Sequence, residues 1–222
     1  MRHSTIVVGV SFLFSVASFT FFENKKTVSH YREEYKLNHF SDTILREGDI
    51  IFQSSLSSQS KAIQVATHSP LSHCGLVFKK ETSWVVLEAV QPVKYTPLKE
   101  WILRGKNQHF VLKRLMDTTQ ITNSVIAEFK REGEKLLGKN YDLTFEWSDE
   151  RMYCSELVWK LYFQVTGIEL GNLQTLQEFD LSHQEVKTVI KKRYGSKIPY
   201  NEKVIAPATI EKSHLLRTVI SL

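Results

Sequence analysis

The chain has two cysteines and eight histidines, and one of each is placed where a thiol nucleophile and its base would stand. Cys154 opens a segment in which Leu157, Val158, Leu161 and Val165 recur at helical spacing, closed by Gly167. At a helix start the unsatisfied backbone N–H groups and the macrodipole favour negative charge, and therefore thiolate. Residues 154, 157, 158 and 161 share one face, so the sulfur points toward whatever that helix packs on. A buried cysteine that merely fills the core is the competing reading, since free cysteine is among the most buried residue types.

A thiol nucleophile needs a base, and His73 sits where the chain enters an apolar run, Gly75 to Phe78. His3, His30, His39, His183 and His214 fall in leader, linker or polar stretches. His68 sits in the breaker His68-Ser69-Pro70, whereas an adjoining strand fixes His73. A base needs an orienter, and Glu88 is the one ionisable residue in the run Trp84 to Val90; a lone acid there demands a partner. On a period-two strand His73, Gly75 and Val77 share a face, as do Trp84, Val86, Glu88 and Val90. Pairing Gly75 opposite Glu88 aligns the two faces, requires an even-numbered loop, and leaves His73 diagonal to Glu88 at about 7 Å between Cα atoms. A one-residue slip would separate them.

The same parity turns Cys74 away from His73 and into the core. A Cys74–Cys154 disulfide is the rival, expected to exclude the catalytic arrangement geometrically. A metal site from His68, His73, Cys74 and Cys154 ranks third, because residues 73 and 74 point apart.

The elements that must hold these residues read as an α+β fold. Gly48-Asp49 is a turn, Ile50 to Phe52 a strand, and Ser57 to Thr67 a helix stopped by Pro70. Gly75 to Phe78 and Trp84 to Val90 form a hairpin, Gln108 to Leu115 is a third strand, and Ile121 to Leu137 is a helix capped by Gly138. A capping box, Ser182 to Glu185, starts the last clear helix, which Gly195 ends. The cysteine helix is expected to pack on the hairpin sheet.

Composition bounds the function. Over 222 residues, 42% hydrophobic and 24% charged describe a soluble globular chain. Two cysteines are too few for a disulfide scaffold or a four-cysteine zinc site. A net charge of +5, scattered along the chain, gives no reason to expect nucleic acid. None of the nine glycines builds a phosphate loop, so no cofactor is expected. Arg2 followed by an uncharged run from Thr5 to Phe22 reads as an export signal in residues 1–22. If the whole run counts, it reaches the roughly 18 residues at which an anchor becomes feasible. The rest is then expected outside the cytoplasm, periplasmic or in the cell envelope, with membrane contact only through the leader. Residues 23–46 are a charged linker or surface helix, and 47–222 the folded domain.

With Ser72-His73-Cys74-Gly75-Leu76-Val77, Glu88-Ala89-Val90 and Tyr153-Cys154-Ser155-Glu156-Leu157-Val158-Trp159-Lys160 assembled, the chain resembles the YiiX-type enzymes, permuted papain-like hydrolases of the NlpC superfamily. The likeness extends to Gly48-Asp49-Ile50-Ile51-Phe52-Gln53, Ser58 to Gln64, Pro92 to Lys99 and Gly138-Lys139-Asn140-Tyr141-Asp142, so it covers about Gly48 to the C-terminus. It implies a small antiparallel sheet or barrel packed by the Cys154 helix. It also implies the chain order base, orienter, nucleophile: His73, Glu88, Cys154. Cys74 departs from the expected pattern, and residues 23–46 have no counterpart. The function implied is an exported cysteine hydrolase cleaving an amide, such as a cell-wall peptide. A lipid acyl hydrolase or acyltransferase, with Phe145, Trp147 and Trp159 lining an acyl pocket, is a second reading, and a non-catalytic binding module a third.

Overall fold

The alternation of Ile50 to Phe52 with Cys74, Leu76 and Phe78 and with Val85 and Leu87 builds one continuous apolar surface, and the fold is organised around it. The computed structural model describes residues 43–57 and 59–222, and Leu45–Leu222 form one compact unit. The expected leader and most of the linker lie outside the described residues. Strand β1 (Ile50–Gln53) is followed by α1 (Ser60–Ala66), β2 (His73–Lys80), β3 (Ser83–Glu88), β4 (Lys94–Pro97), α2 (Leu98–Leu103), β5 (Phe110–Leu115) and α3 (Asn123–Leu136). Helix α4 (Cys154–Thr166), β6 (Gln174–Thr175), α5 (Gln184–Tyr194), β7 (Lys203–Val204), α6 (Pro207–Glu211) and β8 (Leu216–Ser221) complete it.

Six strands form one antiparallel sheet in the order β4-β3-β2-β1-β5-β8, and β6 and β7 pair separately. The architecture is α+β, as the pattern of elements predicts, with an open sheet rather than a closed barrel. Ile50, Phe52, Cys74, Leu76, Phe78 and Leu87 point to one face and pack with Phe129 of α3 and Leu157, Val158 and Leu161 of α4. The opposite face carries Ile51, Val77 and Val86, also fully buried, with α2 beside β3 and β4. Burying large side chains on both faces at about 25 cal/mol per Å2 is what drives the sheet together.

The hairpin has the predicted register. Lys80 pairs with Ser83 and Leu76 with Leu87, which sets Gly75 opposite Glu88 across a two-residue loop. Both strands run further into the turn than the apolar runs suggest. Gly75 is required there: a Cβ would lie 2.5 Å from Val86 Cγ1 and 2.7 Å from the Leu87 carbonyl oxygen. Gly138 and Gly167 follow α3 and α4 with positive φ, as expected of C-terminal caps.

One local expectation fails. The Ser182 hydroxyl bonds the Asp180 carboxylate at 2.6 Å instead of capping α5, whose N-cap is His183 with no side-chain bond. The sequence reading also passes over β4, α2, α6 and β8, which are short or polar enough to lack a periodic signal.

Candidate active site

His73 is the first residue of β2 and is set by its neighbours on both sides. It pairs with Gln53 of β1, while the Ser72 amide donates to the Gln53 carbonyl and the Ser72 hydroxyl sits 2.6 Å from that of Ser60 in α1. Its Nε2 lies 2.5 Å from Glu88 Oε2, the contact that the hairpin register calls for. Glu88 is completely buried and fully partnered. Thr96 Oγ1 donates to Oε1 at 2.6 Å, Trp101 Nε1 to Oε2 at 3.0 Å, and Arg104 Nη2 to both oxygens at 2.7 and 2.5 Å. The Trp101 ring also stacks near His73, with centroids 6.0 Å apart and planes 27° from parallel. Thr96, Trp101 and Arg104 come from β4 and α2 and the residue after it, the elements invisible in the sequence.

Burial alone would raise the Glu88 pKa, but the His73 hydrogen bond and charge, with Arg104 and Thr96, outweigh it and hold the group down at about 2. His73 is lifted to about 9. Burial opposes its charged form, and the Cys154 thiolate and Glu88 carboxylate overcome that penalty.

Cys154 is the first residue of α4, whose start is fixed from several directions. The Tyr153 amide donates to Glu156 Oε2 at 3.2 Å, the Ile205 amide to the Tyr153 hydroxyl at 3.1 Å, and the Ser155 hydroxyl to the Ile205 carbonyl at 2.7 Å. The sulfur is hydrogen-bonded to both His73 and Cys74, and its pKa is driven well below the usual thiol range. The Cys74 thiol contributes most, burial opposes, and the His73 charge and hydrogen bond and the Cys74 backbone add to the lowering. Cys74 moves the other way, well above the thiol range, because of burial first and then the neighbouring thiolate. The two shifts run in opposite directions, so of the buried pair it is Cys154 whose thiolate is favoured.

This corrects the sequence reading of Cys74. It does lie on the core face of β2, but α4 packs on that same face, so the two sulfurs meet. His73 is the terminal residue of its strand, where parity does not confine a side chain to one face, and its ring reaches Cys154 as well. Proximity of the two sulfurs and the His73 contact thus coexist, and neither cysteine is in a disulfide.

Tyr141 adjoins the same sulfur. A bridge to Met152 positions it, the Gln59 side-chain amide donates to its hydroxyl at 2.8 Å, and burial followed by the Cys154 charge pushes its pKa well above the phenol range. Its hydroxyl accepts from Gln59 and keeps a proton of its own to donate. Both residues lie in segments that carried the family resemblance. His68 is elsewhere, 73% exposed and 3.4 Å from Asp180. It does not join His73 and the cysteines, and among the described residues no group of three or more histidine, cysteine, aspartate or glutamate side chains is arranged to hold a metal.

A sheet carrying a histidine–carboxylate pair, with a cysteine at the start of a helix packed on it, is the arrangement of a permuted papain-like enzyme. Residues 44–220 match the family described as permuted papain-like amidase enzyme, YaeF/YiiX, C92 family, and the chain belongs to it. It is a papain-like cysteine amidase in general class. The uncharacterized protein YiiX of Escherichia coli (strain K12) is 45% identical over 172 residues, 78% of this chain and 84% of that protein. The crystal structure of metalloprotein yiiX from Escherichia coli O157:H7 superposes with a TM-score of 0.77 at 44% identity. It covers 81% of this chain and 98% of that one.

Proposed function

We propose that the chain is an exported cysteine amidase in which Cys154 is the nucleophile, His73 the proton carrier and Glu88 the group that orients His73. The observation that supports this most is the buried contact of the Cys154 sulfur with an imidazole whose Nε2 is held 2.5 Å from Glu88. In the resting site the proton has already moved from sulfur to imidazole, so the nucleophile is preformed. Cys154 attacks the amide carbonyl, and the oxyanion meets the Cys154 backbone N–H at the start of α4 and the Tyr141 hydroxyl. As the C–N bond breaks, His73 delivers its proton to the leaving amine, leaving a thioester on Cys154. Water then attacks the thioester, His73 takes its proton, and the carboxylic acid departs with the thiolate restored. Glu88 stabilises the imidazolium and fixes which nitrogen faces the sulfur.

Export is the assignment for the uncharged run from Thr5 to Phe22 after Arg2. Among the described residues no helix is long and apolar enough to cross a membrane; the uncharged run in residues 1–22 is the segment to which we assign membrane contact.

Labelling with iodoacetamide as a function of pH tests the catalytic reading. The expected result is alkylation confined to Cys154, with a midpoint well below the free-thiol value of about 8.5, absent in Cys154→Ala. A thiol that reacts only above that value would sink the assignment and leave a binding module.

A further inference from the structure

Cys74 touches the Cys154 sulfur, yet no step of the amide chemistry uses it. It stands on β2 opposite Phe52, fully buried, on the face that α4 covers, and its thiol is hydrogen-bonded to the Cys154 sulfur. Both residues belong to one buried cluster, formed where β2 packs on α4. Two sulfurs in contact, one of them favoured as thiolate, are the reactants of a disulfide.

The two sulfurs are not equivalent. Cys154 borders the space between α1 and α5, whereas Cys74 does not and has no surface open to solvent. A small oxidant therefore reaches Cys154 first, and thiolate character makes that sulfur the reactive one. Cys74 is sealed from reagents and from other chains, but it adjoins whatever Cys154 becomes. Outside the cytoplasm, where the export reading puts the chain, thiols meet oxidising conditions.

Building on the catalytic reading above, we infer that Cys74 is a resolving thiol, and that the Cys74–Cys154 pair is a modification site at which a hydroperoxide switches the amidase off reversibly. The Cys154 sulfur attacks one oxygen of hydrogen peroxide, the O–O bond breaks, and the departing hydroxide takes the His73 proton and leaves as water. Cys154 is then a sulfenic acid. The Cys74 sulfur attacks the Cys154 sulfur, the S–O bond breaks, and the departing hydroxide takes the Cys74 proton as a second water. The pair has lost two electrons to the peroxide, which is reduced to water, and the disulfide holds the nucleophile. A dithiol restores both cysteines by exchange.

Without a neighbouring thiol, a sulfenic acid goes on to sulfinic and sulfonic acids that thiols do not reverse. Cys74 diverts that course. The bridge is of the labile kind, because the reduced site keeps the His73 contact with the Cys154 sulfur that the bridge gives up, and a stabilised reduced form makes a disulfide more oxidising.

The test treats the reduced full chain with excess hydrogen peroxide, maps its peptides by mass spectrometry without reduction, and follows iodoacetamide labelling of Cys154. The expected result is a Cys74–Cys154 cross-link within one chain, loss of Cys154 labelling, and full return of labelling after dithiothreitol. In Cys74→Ala and Cys74→Ser, peroxide should instead carry Cys154 to sulfinic acid, and dithiothreitol should restore little labelling. The wild-type cross-link is read without either variant, so it stands even if both misfold. Wild-type protein in which Cys154 becomes sulfinic acid while Cys74 stays unbridged, or in which both thiols survive the peroxide, would overturn the proposal. Acylation by p-nitrophenyl acetate, measured on the reduced protein before peroxide is added, checks the catalytic reading separately. Its absence would overturn that reading and the switch with it, whereas acylation without a later cross-link would overturn the switch alone.

Discussion

The two environments that meet at Cys154 are built on opposite rules. On the histidine side the carboxylate is fully committed: Glu88 has four donor side chains, and none of its surface reaches solvent. On the other side, between α1, α5 and residues 204–207, the lining is apolar, aliphatic and aromatic alike, and its one cation, Arg193, has an amide and an aromatic ring for company. A group that must hold one orientation through a reaction is over-determined by its neighbours, whereas a surface that must admit something else is left unfinished.

The largest expected effect comes from loosening the committed side. Glu88→Gln keeps the shape and one acceptor but removes the charge that stabilises the imidazolium. Single-turnover acylation should fall by roughly a hundredfold, the scale of general acid–base assistance. Because Gln would leave the Arg104 guanidinium without its anion, Glu88→Gln/Arg104→Gln serves as the folding control, with melting followed by circular dichroism. An acylation rate equal to wild type in a folded variant removes Glu88 from the mechanism.

A smaller effect is expected at Cys74, which divides into two substitutions. Cys74→Ala removes the thiol that hydrogen-bonds the Cys154 sulfur, so the midpoint of alkylation should rise and labelling at neutral pH slow several-fold. Cys74→Ser, which restores a donor, should recover most of it. Identical profiles for the two would show that the second thiol leaves the nucleophile undisturbed.

The pH dependence gives a third measurement. In the proposed mechanism His73, held at about 9, donates its proton to the leaving amine only below that value. Amide turnover should therefore decline as pH rises through about 9, while alkylation of Cys154, which needs only the thiolate, should not. A parallel loss of both would dissociate turnover from the imidazolium.

The smallest effect is on stability and contrasts two buried glutamates. Glu88 is depressed to about 2, so its contribution is complete above the ordinary glutamate value of about 4.3 and is lost as pH falls toward 2. Glu156 has the Tyr153 amide and Lys160 as partners, and burial dominates, raising it to about 7. Its contribution is complete below about 4.3 and is lost as pH rises through 7. Urea titrations of Glu88→Gln and Glu156→Gln across this range should show stability differences of opposite slope.

The parts of the fold and site legible in sequence are those written as a local pattern. The hairpin register follows from Gly75 and Glu88 sharing a parity, and α4 from Leu157, Val158 and Leu161 ending at Gly167. The Glu88 partners were not legible. Thr96 lies in a four-residue strand ending in Pro97, Trp101 in a six-residue helix, and Arg104 just beyond it. None of these segments is long enough to show a period. The meeting of Cys74 with Cys154 was misread because parity orders side chains within a strand and says nothing of which face a helix will cover. Arg193 looks like one of several bases at the end of α5, and only the tertiary fold brings it beside Phe145.

The sheet order also sets a timetable for synthesis. Strands β1 to β5, with His73, Glu88 and Arg104, leave the ribosome before the nucleophile helix exists. The outer edge of β5 waits longer still, because its partner is β8, where Val111 pairs with Ser221 and Leu115 with Leu216. Until then the nascent chain presents an open strand edge and a sheet face without α4, the two surfaces most prone to wrong pairing. The edge of β5 and the sheet face that α4 will cover are therefore the surfaces left open longest as the chain is made, after His73 and Glu88 are already in place to pair.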